Sequence, residues 1–223
     1  MTFFESIHYY FPEFILSLQQ TGIMMGISML VCLVVGLPVG VALFLSNPNI
    51  KGSNPVSYWI LNLIVTIVRS FPFLLFVISL IPVTRFVIGY GFGPIPASFP
   101  LSIVAVAIFA RMVEQTLLDV PEEIRLLADS LGTSKWQYIW NFLLVEARSG
   151  LVLSYTTSAV SMVSYSTVMG IVGGGGVGDF AIRYGYQSYQ MGIMYFAIIV
   201  MIVLVFIIQM LGNFIARKLD KRK

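Results

Sequence analysis

The sequence predicts an all-α integral membrane protein with five transmembrane helices, and composition carries the first part of that prediction. Of the 223 residues, 58% are hydrophobic and 10% are charged, whereas soluble domains carry about 25% charged residues. An aromatic content of 14% argues against a disordered chain, because disordered segments are poor in aromatic side chains. The single cysteine, Cys32, excludes a disulfide scaffold. We therefore expect one membrane domain and no sizeable soluble domain.

Residues 1–20 are predicted to form an amphipathic segment on the outer face of the membrane, interrupted at Pro12. They contain no Lys or Arg, so they lack the positive region of a cleaved signal peptide. His8 is interpreted as an interfacial polar side chain, because no second histidine is present to complete a metal site. The apolar residues at helical spacing are Phe3, Phe4, Ile7, Phe11, Phe14, Ile15 and Leu18.

Five apolar stretches follow, each long enough for a membrane-spanning helix of roughly 20 residues. They cover residues 22–45, 56–81, 99–118, 150–172 and 191–214. The third stretch loses its apolar character at Arg111 and Glu114, which indicates that its end leaves the lipid. Together the stretches define a predicted transmembrane domain, 21–216, followed by a basic tail, 217–223.

The distribution of Lys and Arg predicts an N-terminus outside the membrane and a cytoplasmic C-terminus. In that orientation ten of the thirteen cations lie on the inner side and only Arg85 and Arg183 lie outside, as expected because inner loops are enriched in Lys and Arg. The excess positive charge is thus a membrane flank, and nucleic acid is not an expected partner. An odd number of spans does not divide into two equal inverted repeats, so we expect a second copy of the chain to complete any pathway.

The polar stretch 120–148 is predicted to form two short helices on the cytoplasmic side, between the third and fourth spans. Glu122 and Glu123 follow Pro121 at the start of the first helix, where the helix dipole favours negative charge. Gly132 is predicted to end that helix.

The second of these helices is predicted to begin at a capping box, S-x-x-Q, formed by Ser134 and Gln137. The pair of helices leaves apolar residues on display. Two interpretations remain open: a hairpin packed flat on its own bundle or on the membrane, and a docking knob for a cytoplasmic partner.

The fourth span carries a stripe of polar side chains on one helical face. In lipid, such a face turns toward protein or water. Helix packing with hydroxyls bonded to backbone carbonyls and the lining of a pathway both remain open. The stripe comprises Ser154, Thr157, Ser158, Ser161, Ser164 and Tyr165. The candidate pathway residues on this span are Ser158, Ser161, Met162, Ser164 and Tyr165.

Arg69 is a further candidate pathway residue, about halfway along the second predicted span. A central arginine costs roughly 2.5–3.5 kcal/mol on insertion scales, so it is expected to face a partner or a cavity. Pro72 is predicted to free carbonyl groups that accept its hydrogen bonds, and Glu114 is a second candidate partner. A structural role and contact with a substrate both remain open.

The glycine run after the fourth span permits tight, unusual backbone turns. Gly173, Gly174, Gly175 and Gly176 are a candidate outer gate or hinge, with a plain tight loop as the alternative. The run lacks the Lys and Ser/Thr of a nucleotide-binding loop. The sequence contains no catalytic or metal-ligand constellation, so an enzyme and a bound metal are not expected.

The inner stretch resembles the E-A-A-x-x-x-G…I-x-L-P loop of permease subunits of ATP-binding-cassette (ABC) importers. Ala128, Gly132 and Leu144 match that motif, whereas Leu126 replaces its glutamate and Val145 replaces its proline. Leu127 and Phe142 replace its first alanine and its isoleucine. The valine is expected to leave the second inner helix more continuous with the next span.

Longer segments of the chain closely resemble the methionine-importer type of these permeases. The resemblance runs from about residue 20 to the C-terminus in the same order and spacing. The segments are Arg69-Ser70-Phe71-Pro72-Phe73, Ile81-Pro82-Val83-Thr84-Arg85, Ala110-Arg111-Met112-Val113-Glu114, Val120-Pro121, the glycine-rich stretch from Tyr165 to Gly178, and Arg183-Tyr184-Gly185-Tyr186.

The resemblance implies a permease that imports methionine or a close amino acid across the bacterial plasma membrane. It implies a homodimer of this chain, two cytoplasmic ATPase subunits that bind ATP and Mg, and an outer solute-binding protein. The ATPase-coupling residues it implies are Glu122, Glu123, Leu126, Leu127, Ala128 and Gly132, with one of the two glutamates replacing the motif glutamate. Alternatives are the same machine with another amino acid, a peptide or an osmolyte as cargo, a stand-alone channel or secondary transporter, and a membrane anchor without transport.

Overall fold

The chain folds into a bundle of helices in a computed structural model that describes residues 3–50 and 53–220. No strand occurs within these residues, so the all-α prediction is confirmed for them. Residues 1 and 2 of the predicted amphipathic segment, the cation Lys51, and residues 221–223 of the basic tail lie outside the described residues.

The N-terminal part is one long helix that includes both the predicted amphipathic segment and the first predicted span. Helix α1 covers Phe3–Val31, a π-helical stretch covers Cys32–Gly36, and α2 covers Leu37–Ser46. The predicted interruption at Pro12 is wrong, because this proline lies inside α1. It removes one backbone hydrogen bond. Two residues further on, however, Phe14 is buried against Phe180 and Phe196, with ring centroids 5.3 and 4.9 Å away, and this packing holds the helix.

The second predicted span, 56–81, is not a single helix. Helix α3 covers Pro55–Ser70, α4 covers Phe73–Ile88, and their axes are bent by 109°. The break has a local cause: Pro72 has no N–H to donate, and the residue before a proline avoids the helical region. Phe71 is accordingly extended, with φ −73° and ψ 133°. We call the corner between residues 70 and 73 the elbow.

Helix α5, Pro94–Leu118, contains the third predicted span and forms the centre of the bundle. Its buried side chains pack against α1 and α2 and against the fourth span. Gly40 of α2 lies so close to α5 that a Cβ atom there would come within 2.6 Å of Val113. Glycine is therefore required at this crossing.

The polar stretch forms α6, Glu122–Ser130, and α7, Lys135–Gln137. Gly132 between them has φ +66°, and the capping box at Ser134 and Gln137 is present, so both predicted boundaries are confirmed. A π-helical stretch, Tyr138–Leu143, leads without a break into α8, Leu144–Ile171. The predicted continuity through Val145 is thus confirmed.

The chain ends with α9, Val177–Phe180, a π-helical stretch, Ala181–Gln187, and α10, Met191–Leu219. Among the described residues, three helical stretches are long and apolar enough to cross a membrane: Glu5–Ser46, Pro94–Leu118 and Met191–Leu219. The bent pair α3 and α4 gives a fourth if it is one span. Helix α8, the fourth predicted span, is not among them, because its many hydroxyl side chains lower its hydropathy.

Contacts define two ends of the bundle. At one end, which we call the glycine-loop end, residues 173–176 contact Gln20 and Thr21 of α1 and the start of α5. At the other, which we call the α6 end, Asn47 after α2 bonds to Glu114 near the end of α5, and α6 follows four residues after α5 ends.

Candidate functional site

The helix pair at the α6 end buries one face and displays another. Ala128, Ile139 and Leu143 are buried and hold the pair together. Burial also raises the pKa of Tyr138 beside them, opposed by Arg125 and reinforced by Asp129. The displayed apolar side chains are Leu126, Leu127, Leu131, Trp136 and Trp140, each at least half exposed. These five displayed side chains therefore do not pack on the chain's own bundle.

The predicted coupling residues lie on this helix pair. Glu122 and Glu123 are exposed in the first turn of α6, next to the displayed leucines. Ala128 is buried, and its carbonyl accepts hydrogen bonds from the backbone and the hydroxyl of Thr133, which closes the turn around Gly132. Ala128 and Gly132 thus shape the unit, and the glutamates and leucines form its surface.

A buried polar network fastens three helices at the same end, and sequence reasoning missed it. Glu114 is only 2% exposed, and its carboxylate accepts from Arg111 at 2.6 Å and from Asn47 at 3.1 Å. Arg111 also donates to Asn62 and, at 3.4 Å, to Thr66 of α3. The arginine–glutamate spacing of three residues was the available signal, but the two partners come from α3 and from the residue after α2.

Arg69 lies at the C-terminal end of α3, at the elbow, and is exposed. It makes no hydrogen bond or ion pair with any residue that the structure describes. Its predicted partners are wrong: Glu114 bonds to Arg111 and Asn47. The Ile67 and Pro72 carbonyls at the elbow accept from the backbone of Phe71 and Phe76.

The polar stripe of α8 is divided between two environments. Ser158 and Met162 are fully buried, and the Ser158 hydroxyl lies 3.6 Å from the sulfur of Met112 on α5. Ser161 and Tyr165 are half-buried, and Ser164 is exposed.

Three of the six hydroxyls of the stripe are satisfied within α8, and that of Ser154 bonds to Thr116 of α5 at 2.8 Å. Those of Thr157, Ser158 and Ser161 each donate to the carbonyl four residues earlier, at 2.9 to 3.0 Å. The predicted packing of hydroxyls onto backbone carbonyls is therefore confirmed. The exposed part of the stripe remains free to meet a second copy or a solute.

The glycine loop requires its glycines and is bonded to α1. Gly173, Gly175 and Gly176 have φ between +76° and +92°, a region that side-chain-bearing residues avoid. The Gly176 N–H donates to Gln20 Oε1 at 2.8 Å, and the Val177 N–H donates to Thr21 Oγ1 at 2.9 Å. The first N–H groups of α9 have no partners within their own helix, and side chains of α1 thus cap them.

The loop also connects α1 to α5. The Gly93 N–H before α5 donates to the Gly173 carbonyl at 2.9 Å. A single short loop therefore holds together the starts of α5 and α9 and the middle of α1. Neither Gln20 nor Thr21 was singled out in the sequence, because nothing local marks a residue that caps a distant helix.

These features define a helical membrane component with a displayed apolar knob at one end and a tight glycine closure at the other. Within the described residues, no group of three or more His, Cys, Asp or Glu side chains is positioned to hold a metal.

A family model described as the binding-protein-dependent transport system inner membrane component matches residues 36–223. The chain belongs to this family. It is therefore a membrane-embedded permease component of a transport system, not an enzyme.

Individual relatives are similar over nearly the whole chain. The probable D-methionine transport system permease protein MetI of Haemophilus influenzae is 37% identical over 87% of this chain and 92% of its own. The corresponding protein of Vibrio cholerae is 39% identical, over 91% and 90%. The methionine import system permease protein MetP of Bacillus subtilis is 32% identical over 81% of each chain.

Solved structures agree. A chain of the MetNI methionine ABC transporter, in inward-facing conformations, has a TM-score of 0.90 at 34% identity, over 93% of this chain and 96% of that chain. A chain from the crystal structure of an amino acid ABC transporter with histidines has a TM-score of 0.74 at 16% identity, over 99% and 98%, and supports the fold alone.

Proposed function

We propose that this chain is the permease subunit of an ATP-driven importer of methionine or a closely related amino acid. The observation that carries the proposal is the similarity to permeases named for methionine, at 32 to 39% identity over most of both chains. A chain of a methionine ABC transporter also shares the fold at a TM-score of 0.90.

We propose that two copies of the chain form the pathway and that each copy binds one cytoplasmic ATPase subunit through the α6 end. The displayed side chains Leu126, Leu127 and Trp136 support this role, because a cluster of exposed apolar residues at the tip of a polar unit marks an interaction surface. Glu122 and Glu123 add charge at its edge. ATP and Mg belong to the ATPase, and a solute-binding protein delivers cargo on the opposite side.

We propose five membrane crossings with the N-terminus outside and the C-terminus cytoplasmic in a bacterial plasma membrane. The bent pair counts as one crossing, because its two ends contact opposite ends of the bundle. Asn62 of α3 bonds to Arg111 at the α6 end, and Gly93, after α4, bonds to Gly173 at the glycine-loop end. The excess of Lys and Arg in the segments on the α6 side supports this orientation.

Within this machine, Gly173–Gly176 act as an outer gate or hinge, and Ser161, Ser164 and Tyr165 line the pathway. The three positive φ angles of the loop and its bonds to α1 and α5 support a closure at the outer ends of the helices. The partial exposure of Ser161 and Ser164 supports their position at the seam between two copies.

The test is reconstitution of the chain with an ATP-binding subunit and a methionine-binding protein from the same organism. We expect the ATPase to co-purify with the permease and methionine uptake into vesicles to require all three proteins and ATP. Replacing Leu126 by Asp is expected to reduce the recovered ATPase at least tenfold. Uptake that persists without the ATPase would indicate a stand-alone transporter instead.

A further inference from the structure

The elbow places a lone cation between the two ends of the bundle. Asn62 of α3 is bonded to Arg111 at the α6 end. Arg69 lies seven residues after Asn62, which is about 10 Å along a helix. After the elbow, α4 runs to Ile88, and Phe92 lies against Gly173 at the glycine-loop end. Arg69 therefore sits at an intermediate depth, where the surrounding medium is lipid or the interior of a pathway.

No group on the described part of the chain neutralises this charge. Arg69 makes no ion pair or hydrogen bond there, while the other charged group buried near α3, Glu114, is saturated by Arg111 and Asn47. Arg85 of α4, by contrast, stacks over the Phe92 ring at 5.3 Å. An arginine within a membrane faces a partner or a water-filled cavity, and the described part of the chain supplies no such partner for Arg69.

The elbow also adjoins the polar stripe of α8. Phe73, the first residue after the elbow, packs on Tyr165 with ring centroids 4.5 Å apart. Tyr165 follows the half-buried Ser161 and the exposed Ser164 of the stripe. The elbow that carries Arg69 is thus in contact with α8 through this aromatic pair, one turn from the hydroxyl groups of the stripe.

We propose that Arg69 binds the carboxylate of the transported amino acid as it passes through the membrane. An arginine holds a carboxylate through two parallel N–H···O bonds. An ammonium at the same place supplies the positive charge and hydrogen-bond donors without that paired geometry, so it is expected to restore only part of the function. The Phe73–Tyr165 pair, whose phenylalanine begins the helix after the elbow, provides an apolar wall for the side chain of the cargo. This inference rests on the proposed function, because it needs an amino acid as cargo.

The experiment uses the reconstituted transporter in a Cys32→Ser background, in which the buried native thiol is removed. We expect Arg69→Cys to lower ATP-driven methionine uptake at least tenfold. The stimulated ATPase rate should stay within twofold of the parent, and the thermal unfolding temperature should be unchanged. Attaching a cationic aminoethyl group to the thiol introduced by Arg69→Cys should restore at least a third of the uptake, and a sulfonatoethyl group should not. Arg85→Cys, which removes a cation from the same bent pair, is the matched control.

A second readout separates substrate contact from a structural charge. Photo-methionine, a diazirine analogue that keeps the α-carboxylate, is present during turnover. The analogue should label peptides of the elbow and of α8 in the parent and in Arg85→Cys. The labelling of these peptides should fall at least tenfold in Arg69→Cys and recover after aminoethylation.

Each outcome bears on one proposal. Unchanged uptake in Arg69→Cys, or lost uptake with undiminished labelling, would overturn the carboxylate contact and leave the importer intact. In the second case the charge acts on a lipid phosphate or on the partner copy. A parent transporter that imports no methionine would instead overturn the proposed function.

Discussion

At the scale of single residues, charge was visible in the sequence but its partners were not. Arg69 stands out in an apolar stretch, and Arg111 and Glu114 mark the end of the third predicted span. The pairing of Glu114 with Asn47 and of Arg111 with Asn62 joins residues 67 and 49 positions apart. Hydropathy carries no information about such contacts, which is why the predicted pairing of Arg69 with Glu114 is wrong.

The Arg111–Glu114 pair gives a test at this scale. Removing one member of a buried ion pair leaves an uncompensated charge and costs about 3–5 kcal/mol. We expect Arg111→Met to destabilise the detergent-solubilised protein by that amount, and the double variant Arg111→Met with Glu114→Leu to be more stable than Arg111→Met alone. Unfolding followed by tryptophan fluorescence measures both. Additive losses in the double variant would show that the two side chains are energetically independent.

At the scale of elements, boundaries that depend on local signals are predictable from the sequence, and those that depend on distant contacts are not. The capping box at Ser134 and the stop at Gly132 depend on a few neighbouring residues, and both are confirmed. The elbow at Pro72 was hidden because apolar residues continue on both sides of it. The helix through Pro12 was missed because its support, the packing of Phe14 on Phe180, comes from the far end of the chain.

The glycine loop can be tested without altering a glycine. Gly175→Val would strain the backbone at φ +76° whether or not the loop moves, so it tests little. Thr21→Val instead leaves the buried Val177 N–H without its acceptor, at a cost of about 1–3 kcal/mol. Thr21→Ser keeps the acceptor and is the matched control.

We expect Thr21→Val to speed hydrogen exchange of the loop amides by roughly 5- to 150-fold, the equivalent of that free energy, and to alter methionine uptake. Thr21→Ser should behave like the parent in both measurements. Faster exchange in Thr21→Val with normal uptake would reduce the loop to a plain connection between helices and contradict the gate.

At the scale of the whole molecule, composition predicted the class of protein and the family match confirmed it. The path of the chain through the membrane is harder to predict, because it depends on how two imperfect spans are counted. Helix α8 is too rich in hydroxyl groups to register as a span by hydropathy, and α3 and α4 are divided by a bend of 109°. Their assignment as crossings rests on contacts at their ends, which only the folded chain reveals.

Single cysteines in the Cys32→Ser background test that assignment in intact cells. Asn49, Tyr90, Asn141 and Gln187 are exposed and lie in the connections before α3 and after α4, in the α6-end unit and after α9. A membrane-impermeant thiol reagent should label Tyr90→Cys and Gln187→Cys directly, and Asn49→Cys and Asn141→Cys only after the membrane is opened. This pattern follows because the bent pair joins the α6 end to the glycine-loop end. If the pair were re-entrant, Asn49→Cys and Tyr90→Cys would label from the same side, and the chain would then cross the membrane four times with both termini on one side.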